Sequence, residues 1–489
     1  MTEERLGVRA RGLLVLFPVG RLMSTVTLSR KQFAVSVACF VGLVWLRTDD
    51  ITKSFWLFGD QILFWNTALL PLHEQPLAGP EQHVGGYALG PGYNWFVWLS
   101  RVTFGPFYEN LPHAGAIFQV LVHSAVDAFL LWALWRKTGS PWLASVTLLL
   151  VTTAPYDLAL SATLWNPSLA SAAIKGATAL VLLGWSEGGL IRVGIVAGIA
   201  WVSLHFHLPA VFCVAGVFTA LVATPLVRRD YRALARRIGA IGATVALLQV
   251  PYFVHRLTAH PDTEAGGAAV TGSLAQVLGG AASIRLVESA RGFGRAVDRI
   301  QLDPWNVGWI GWIVLVAAIA MVVRHRHDPP LLGVTVGPII ASVVGYAFWV
   351  GTFDEYYYLP QMTAVVLTVL IGLSGLAGPR VRRYLGVGML GLVLGILPAR
   401  VQQSRTIHRM PEYAALVEGS RQIVRRGAPV RTIRADFLPL GANPEYLFQV
   451  LGGRLERNGE WVASIADDGV VSYERVVDGR AGGGEPTTR

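Results

Sequence analysis

Eleven predominantly apolar stretches recur along this chain, at roughly 32–46, 113–135, 142–160, 166–185, 190–205, 207–226, 237–254, 306–323, 331–350, 358–377 and 384–399. Most approach the ~20 residues that carry a helix across a bilayer. Backbone facing lipid must satisfy its own hydrogen bonds, so each stretch is predicted to be a helix. Basic residues fall between the stretches with a preference for one side. Arg136 and Lys137, the run RRDYRALARR from Arg228 to Arg237, Arg324 with Arg326, and Arg380 to Arg383 alternate with short connections at 157–165, 204–207 and 351–357 that carry no Lys or Arg. That asymmetry places the N-terminus in the cytoplasm and the C-terminal region outside it. The region 190–226 is too long for one helix. Two spans with a break near His205 to Pro209 keep the basic run on the inner side, and proline opens the helix there. The first stretch follows Arg5, Arg9, Arg11, Arg21, Arg30 and Lys31, and no small-x-small site precedes Arg47, so it is expected to be an uncleaved anchor.

Two segments break the pattern as loops on the outer side. Residues 48–112 form the first, aromatic and rich in Gly and Pro, with GYNWFVWLSRVTF at 92–104 expected to lie flat in the membrane interface. The second, 255–305, holds a predicted helix from Ile284 to Ile300 bearing Arg285, Arg291, Arg295 and Arg299. Beyond the last stretch the periodicity changes. Residues 402–480 read as a small soluble α+β domain, with helices near Pro411 to Arg426 and Pro444 to Leu451 and strands near Val430 to Ala435, Trp461 to Ile465 and Val470 to Val477. Residues 481–489 read as a disordered tail. The expected fold is a mostly α, polytopic bundle of about eleven transmembrane helices on 1–401 with that small extracytoplasmic domain appended.

Composition sharpens this reading. With 53% apolar and 15% charged residues and 16 Trp, the 489-residue chain is a multi-pass protein of the cell (inner) membrane surrounded by lipid. The net charge of +10 is distributed as the positive-inside rule requires, which leaves nucleic acid without a binding patch. Cys39 and Cys213 lie inside apolar stretches and offer neither a disulfide framework nor a thiolate metal site. No metal or cofactor is expected.

The polar residues gather on the outer side. Asp49, Asp50, Asp60, Asp157, Asn166, His205, His207, Asp354 and Glu355 all fall at outer helix ends or in outer loops. Asp60 stands apart: in FWLFGDQILFW it lies among Phe58, Phe64 and Trp65, where partial desolvation suits a general base. Capping a helix from Gln61 to Leu69 is a compatible role. His205 and His207, two residues apart, do not share a helical face, which argues against zinc. Asp354-Glu355 precedes Tyr356, Tyr357 and Tyr358, acids and rings able to line a sugar site or an interfacial belt. Asn166 begins a helix ahead of Pro167. Mid-membrane, Asp127 and Lys175 are expected to pair, since either alone is expensive there.

The order of these features carries a resemblance. A short first span is followed by Gly59-Asp60-Gln61 and an aromatic helix with Trp65, then by Tyr87 and Gly90-Pro91-Gly92-Tyr93 with Trp95, many spans and a small outer domain. This resembles the GT-C superfamily of membrane glycosyltransferases, among them protein mannosyltransferases and aminoarabinose transferases, which use polyprenyl-phosphate-linked sugars. The resemblance implies inverting sugar transfer on the outer face to a glycan, lipid or protein acceptor. It makes Asp60 the base and places Gln61, where the family commonly has Glu, beside it. Tyr87, Tyr93, Asn166, His205, His207, Arg256, Asp354, Glu355 and Tyr356 are then the residues expected to contact substrate. A transporter or flippase for a lipid-linked saccharide, or an envelope scaffold, would share the topology. A carrier would need a polar path to both faces, and the midplane offers little beyond His123, Asp127 and Lys175.

Overall fold

Helix occupies each of the eleven apolar stretches in the computed structural model, which describes residues 29–49, 51–57, 59–79, 89–258, 282–302, 308–348, 354–375, 378–407, 409–438 and 442–476. The basic N-terminal residues before Ser29, Tyr87, Phe58 and the expected disordered tail lie outside that set. Helix α1 (Arg30–Thr48) starts at a capping box in which Ser29 and Gln32 satisfy each other's backbone amides. A 3₁₀ turn (Ile51–Ser54), α2 (Gly59–Leu69) and α3 (Gly92–Phe104) form the first loop. The bundle continues with α4 (His113–Thr138), α5 (Pro141–Thr152), α6 (Pro155–Ser161), α7 (Asn166–Leu182), α8 (Leu190–Phe206), α9 (Val211–Val227) and α10 (Tyr231–Thr258). After the second loop helix, α11 (Ala282–Leu302), come α12 (Ile310–His325), α13 (Pro329–Tyr346), α14 (Met362–Gly375) and α15 (Pro379–Ser404).

Six of the described helical segments are long and apolar enough to cross a membrane, seven if the bent pair α5–α6 counts as one. Two apolar helices, α8 and α12, are shorter. Helix α7 is buried along nearly its whole length and forms the axis on which α4, α8, α9 and α13 pack. Helices α9 and α13 approach most closely, and the reason is glycine: a Cβ on Gly333 would stand 2.7 Å from the Cα of Ala220.

Two breaks shape the end of the bundle that carries the loops. Helices α5 and α6 meet at 67°, with Pro155 in the first turn of α6. The opening is stitched by Arg400, fully buried on α15, which donates to Leu150 O and to Thr153 Oγ1 (3.1 Å), and with its other amino group to Gln301 O on α11 (2.6 Å). The second break separates α8 from α9, as the position of Pro209 predicts: His207 is extended and Leu208–Ala210 form a 3₁₀ turn.

The C-terminal domain has the expected elements. Helix α16 (Tyr413–Arg426), β1 (Val430–Arg434), α17 (Pro444–Val450), β2 (Trp461–Ile465) and β3 (Val471–Arg475) build a three-stranded sheet in the order β1-β2-β3, the first pair parallel and the second antiparallel. It docks on the first loop. Met410 N donates to Lys53 O (2.9 Å), and the buried Tyr413 ring sits 5.8 Å from both Phe55 and His113. Arg421 binds Glu109 (2.6 Å), and Arg405 binds Asp49.

Candidate active site

Asp60 lies in the first turn of α2 and is half-buried. The helix begins one residue earlier than a capping role would require. Asp60 is therefore inside the helix rather than its N-cap, at the end where a helix accommodates an acid. Its neighbours fix the loop. Gln61 is buried and its Oε1 accepts from Trp56 N (2.9 Å), while the buried Trp65 donates its indole N–H to Asn110 O (2.9 Å). The Gln61 carbonyl is thus committed to the loop's own backbone.

Opposite Asp60 stands a wall drawn from four distant parts of the sequence. Tyr93 on α3 is fully buried, with Phe64 at 4.7 Å and Phe206 at 6.4 Å ring to ring, and its hydroxyl has no hydrogen-bond partner. Burial, reinforced by the Asp60 carboxylate, pushes the Tyr93 phenol well above its ordinary range. It therefore stays protonated and able to donate. Asp60 also acts electrostatically on Tyr357, so the acid faces both rings. Next to Tyr93, Gly90 and Gly92 bring the first loop onto His205. A Cβ on Gly90, whose φ is +156°, would stand 2.4 Å from the imidazole carbon, so this approach requires glycine.

His205 and His207 are both 4% exposed, and the Nε2 of each is buried without a partner. The His207 ring packs 5.5 Å from Tyr357 and 6.0 Å from Tyr356. Burial pushes its imidazole down to about 3, which keeps the ring neutral. Tyr356 in turn packs 4.6 Å from Trp165. Asn166 is buried and donates Nδ2 to Phe206 O (2.8 Å), capping the C-terminal end of α8. Tyr93, His205, His207, Tyr356 and Asn166 thus converge on the region of Asp60, and Asp354 joins them by hydrogen-bonding Tyr356, whereas Glu355 and Arg256 do not. Glu355 forms an ion pair with Arg299. Arg256 is exposed at the end of α10 and makes no hydrogen bond or ion pair among the described residues.

The expected Asp127–Lys175 pair exists but is half of a larger cluster. Lys175 Nζ lies 3.1 Å from Asp127 Oδ1 and 2.7 Å from Asp157 Oδ1, while Arg47 Nη2 lies 2.6 Å from Asp127 Oδ2 and 3.0 Å from Asp157 Oδ2. All four side chains are essentially without solvent contact. Asp157, read from the sequence as an outer-face candidate, is instead an interior ion-pair partner, because α6 folds back into the bundle after the bend. The span-end residue Arg47 is the partner that sequence reasoning missed. Its position at the end of an apolar stretch looked like a boundary, and only the pairing of α1 with α4 turns it inward. His123, Asp127 and Asp157 offer ligand atoms within 4.8 Å of one another, but each carboxylate already forms ion pairs with two cations. The donor set therefore fits ion pairing better than a metal.

No protein-family model and no curated protein matches the sequence. Among solved structures, ArnT from Cupriavidus metallidurans bound to undecaprenyl phosphate aligns with TM-score 0.53 and 14% identity over 84% of each chain. The same protein in the apo state aligns with TM-score 0.54 and 15% identity over 86% of this chain and 85% of that one. A looser likeness, to the oligosaccharyltransferase AglB from Archaeoglobus fulgidus in complex with an inhibitory peptide and a dolichol-phosphate, has TM-score 0.40, 11% identity and 93% and 76% coverage; it is too distant to argue from. The chain shares its overall fold with ArnT, in line with the fold that the resemblance drawn from the order of spans and loops implied.

Proposed function

We propose that this protein is a multi-pass membrane glycosyltransferase that takes a sugar from a polyprenyl-phosphate-linked donor and passes it, with inversion, to a hydroxyl of an envelope glycan, lipid or protein acceptor. Its eleven helical stretches cross the membrane with the N-terminus in the cytoplasm and the site and C-terminal domain outside. The observation that carries the reading is an acid at a helix start whose charge reaches the buried, unpartnered Tyr93 hydroxyl, in a wall that also holds the unpartnered Nε2 atoms of His205 and His207. Buried polar groups are normally satisfied, so three orphans in one wall beside an acid support a place for a polar ligand.

In that site Asp60 accepts the proton of the acceptor hydroxyl as its oxygen bonds to the anomeric carbon. The bond from that carbon to the donor phosphate breaks, and lipid phosphate leaves. Charge grows on the departing phosphate oxygen, and neutral donors such as Tyr93 OH and His207 suit it without adding a competing ionisation. The buried charge cluster weighs against the carrier reading, because two cations and two anions that neutralise one another leave no free charge to line a transmembrane path. Mass spectrometry of envelope glycans from cells with and without the protein, paired with transfer from a radiolabelled polyprenyl-phosphate sugar in membranes, tests the proposal. A missing sugar together with labelled product supports it. Unchanged glycans and no label transfer refute it.

A further inference from the structure

Two chain segments meet at the candidate site, and they are attached to the bundle in different ways. The wall segment, running from α6 into α7, is held by α4 at several points. Gln119 Nε2 donates to Leu160 O (2.7 Å) and to Thr163 O (2.5 Å), and His123 Nε2 lies 2.9 Å from Ser168 Oγ. These contacts fix the turn that presents Trp165 to Tyr356 and Asn166 to the end of α8. Gln119, His123 and Ser168 are all buried, so water does not compete for their hydrogen bonds.

The segment that carries Asp60 has no such redundancy at its root. Within α1, Leu43 and Arg47 alone are buried, and among the described residues Arg47 makes the side-chain hydrogen bonds that join α1 to its neighbours. Arg47 stands in the last turn of α1, just before the 3₁₀ turn Ile51–Ser54 and α2. Its Nη1 donates to Ser124 Oγ (3.2 Å) on α4, and its Nη2 is shared between Asp127 Oδ2 (2.6 Å) on α4 and Asp157 Oδ2 (3.0 Å) on α6. One planar guanidinium therefore ties the root of the Asp60 loop both to the helix that braces the wall and to the helix that leads into it. The next contacts along the loop, Asp49 with Arg405 and Lys53 O with Met410 N, face the C-terminal segment instead.

We propose that Arg47 is a positioning residue for the transfer reaction: by holding Asp127 and Asp157 with one guanidinium, it sets the separation of Asp60 from the wall of Trp165, Asn166 and His207. The proposal rests on the reading of Asp60 as the base and goes beyond charge balance. Neutralising the two acids takes a nearby positive charge, whereas fixing α1 against both α4 and α6 takes a rigid fork that reaches both. Lysine at this position would supply the charge without the fork. A displacement of about 1 Å at a reacting group costs on the order of a hundredfold in rate, so a loosened root would slow transfer while the donor still binds.

Two variants separate position from charge. R47M/D157N removes the contact and keeps the cluster neutral, with Asp127 and Lys175 still paired; R47K keeps the charge and removes the fork. Each is measured for melting temperature and for kcat and KM with a radiolabelled polyprenyl-phosphate sugar. In a C39A/C213A background, nitroxides at N66C on α2 and L257C at the end of α10, both exposed positions, report the distance between the loop and the bundle. We expect both variants to melt close to the parent. The kcat should fall at least about tenfold in R47M/D157N and by less in R47K, with KM for the donor within about twofold of the parent, and the nitroxide distances should spread in the same order. Parental kcat or parental distances in folded R47M/D157N, or a loss carried by KM instead of kcat, would overturn the proposal. So would failure of R47M/D157N to fold while R47K matches the parent in kcat and distance, because Arg47 would then contribute charge alone. If the parent protein transfers no sugar, the function proposed above fails, whereas the distance measurement still decides whether Arg47 places the loop.

Discussion

The buried ion cluster of Arg47, Asp127, Asp157 and Lys175 and the polar wall facing Asp60 are both assembled from residues far apart in sequence, and both are largely shielded from solvent. In the first, every charge has an opposite charge within about 3 Å, and Arg47 also donates to Ser124 (3.2 Å). In the second, Tyr93 OH and two imidazole nitrogens face each other's neighbourhood with nothing to bind. Charge is compensated internally in the first, although Arg47 Nε and Asp127 Oδ1 lack hydrogen-bond partners, whereas the second has no internal partner for any of its three orphaned atoms. A charge-compensated cluster in an apolar bundle holds helices together, and neutral donors left without partners suit a ligand.

The contrast is broken most sharply at Lys175. Replacing it with Met leaves two carboxylates facing one guanidinium in the interior, and removing one partner of a buried pair costs about 3–5 kcal/mol. We expect the yield of folded K175M in detergent to collapse, and the further change D157N, which restores neutrality, to recover much of it. If K175M melts like the parent protein, the cluster does not hold the helices.

The same logic gives the opposite result at His207. Its ring nitrogen has no partner to lose, so H207F should keep or slightly raise the melting temperature while lowering sugar transfer by roughly tenfold or more, the scale of one lost polar contact to substrate. Its pH behaviour sharpens the point. The folded imidazole titrates at about 3, whereas an unfolded histidine takes up its proton near 6.5. The unfolded chain binds more protons between those values, so His207 lowers stability as the pH falls below about 6.5. H207F should flatten the acid side of the melting-temperature profile; an unchanged profile would mean that the ring is not buried neutral.

Much of this was legible beforehand, and the exceptions share a cause. Periodicity located the helices, the α8–α9 break and the C-terminal strands, because a 20-residue apolar run or an alternating strand is a local signal. The sequence also drew attention to Asp60, His205 and His207, since an acid among aromatics and histidines at a proline break are unusual in apolar surroundings, whereas Tyr93 entered only through the family resemblance. Arg47 and Asp157 escaped because each stands at a helix end, where a charge is expected to be solvated. Only the 67° bend after α5 and the packing of α1 on α4 bring them together. Gln61 and Asn166 were read as facing substrate, yet their side chains tie down Trp56 N and Phe206 O. The composition of a loop does not say which of its amides will be needed by its own backbone.

A smaller effect is expected where the C-terminal domain meets the first loop. Arg421 and Glu109 pair at 2.6 Å but remain 30% and 59% exposed. Such pairs contribute about 0–1 kcal/mol, so R421A should shift melting by a degree or two and leave transfer unchanged. A large loss of activity there would show that the domain holds the Asp60 loop through this contact rather than through the buried Tyr413.

The decisive measurement is turnover per folded molecule of D60N, with a radiolabelled polyprenyl-phosphate sugar as donor. A general base contributes about 10²- to 10⁴-fold, so D60N should insert and melt like the parent while transferring sugar at least about a hundredfold more slowly. Parental turnover in D60N would contradict the assignment of Asp60 as the base and leave a membrane bundle whose unpaired polar wall serves some other ligand.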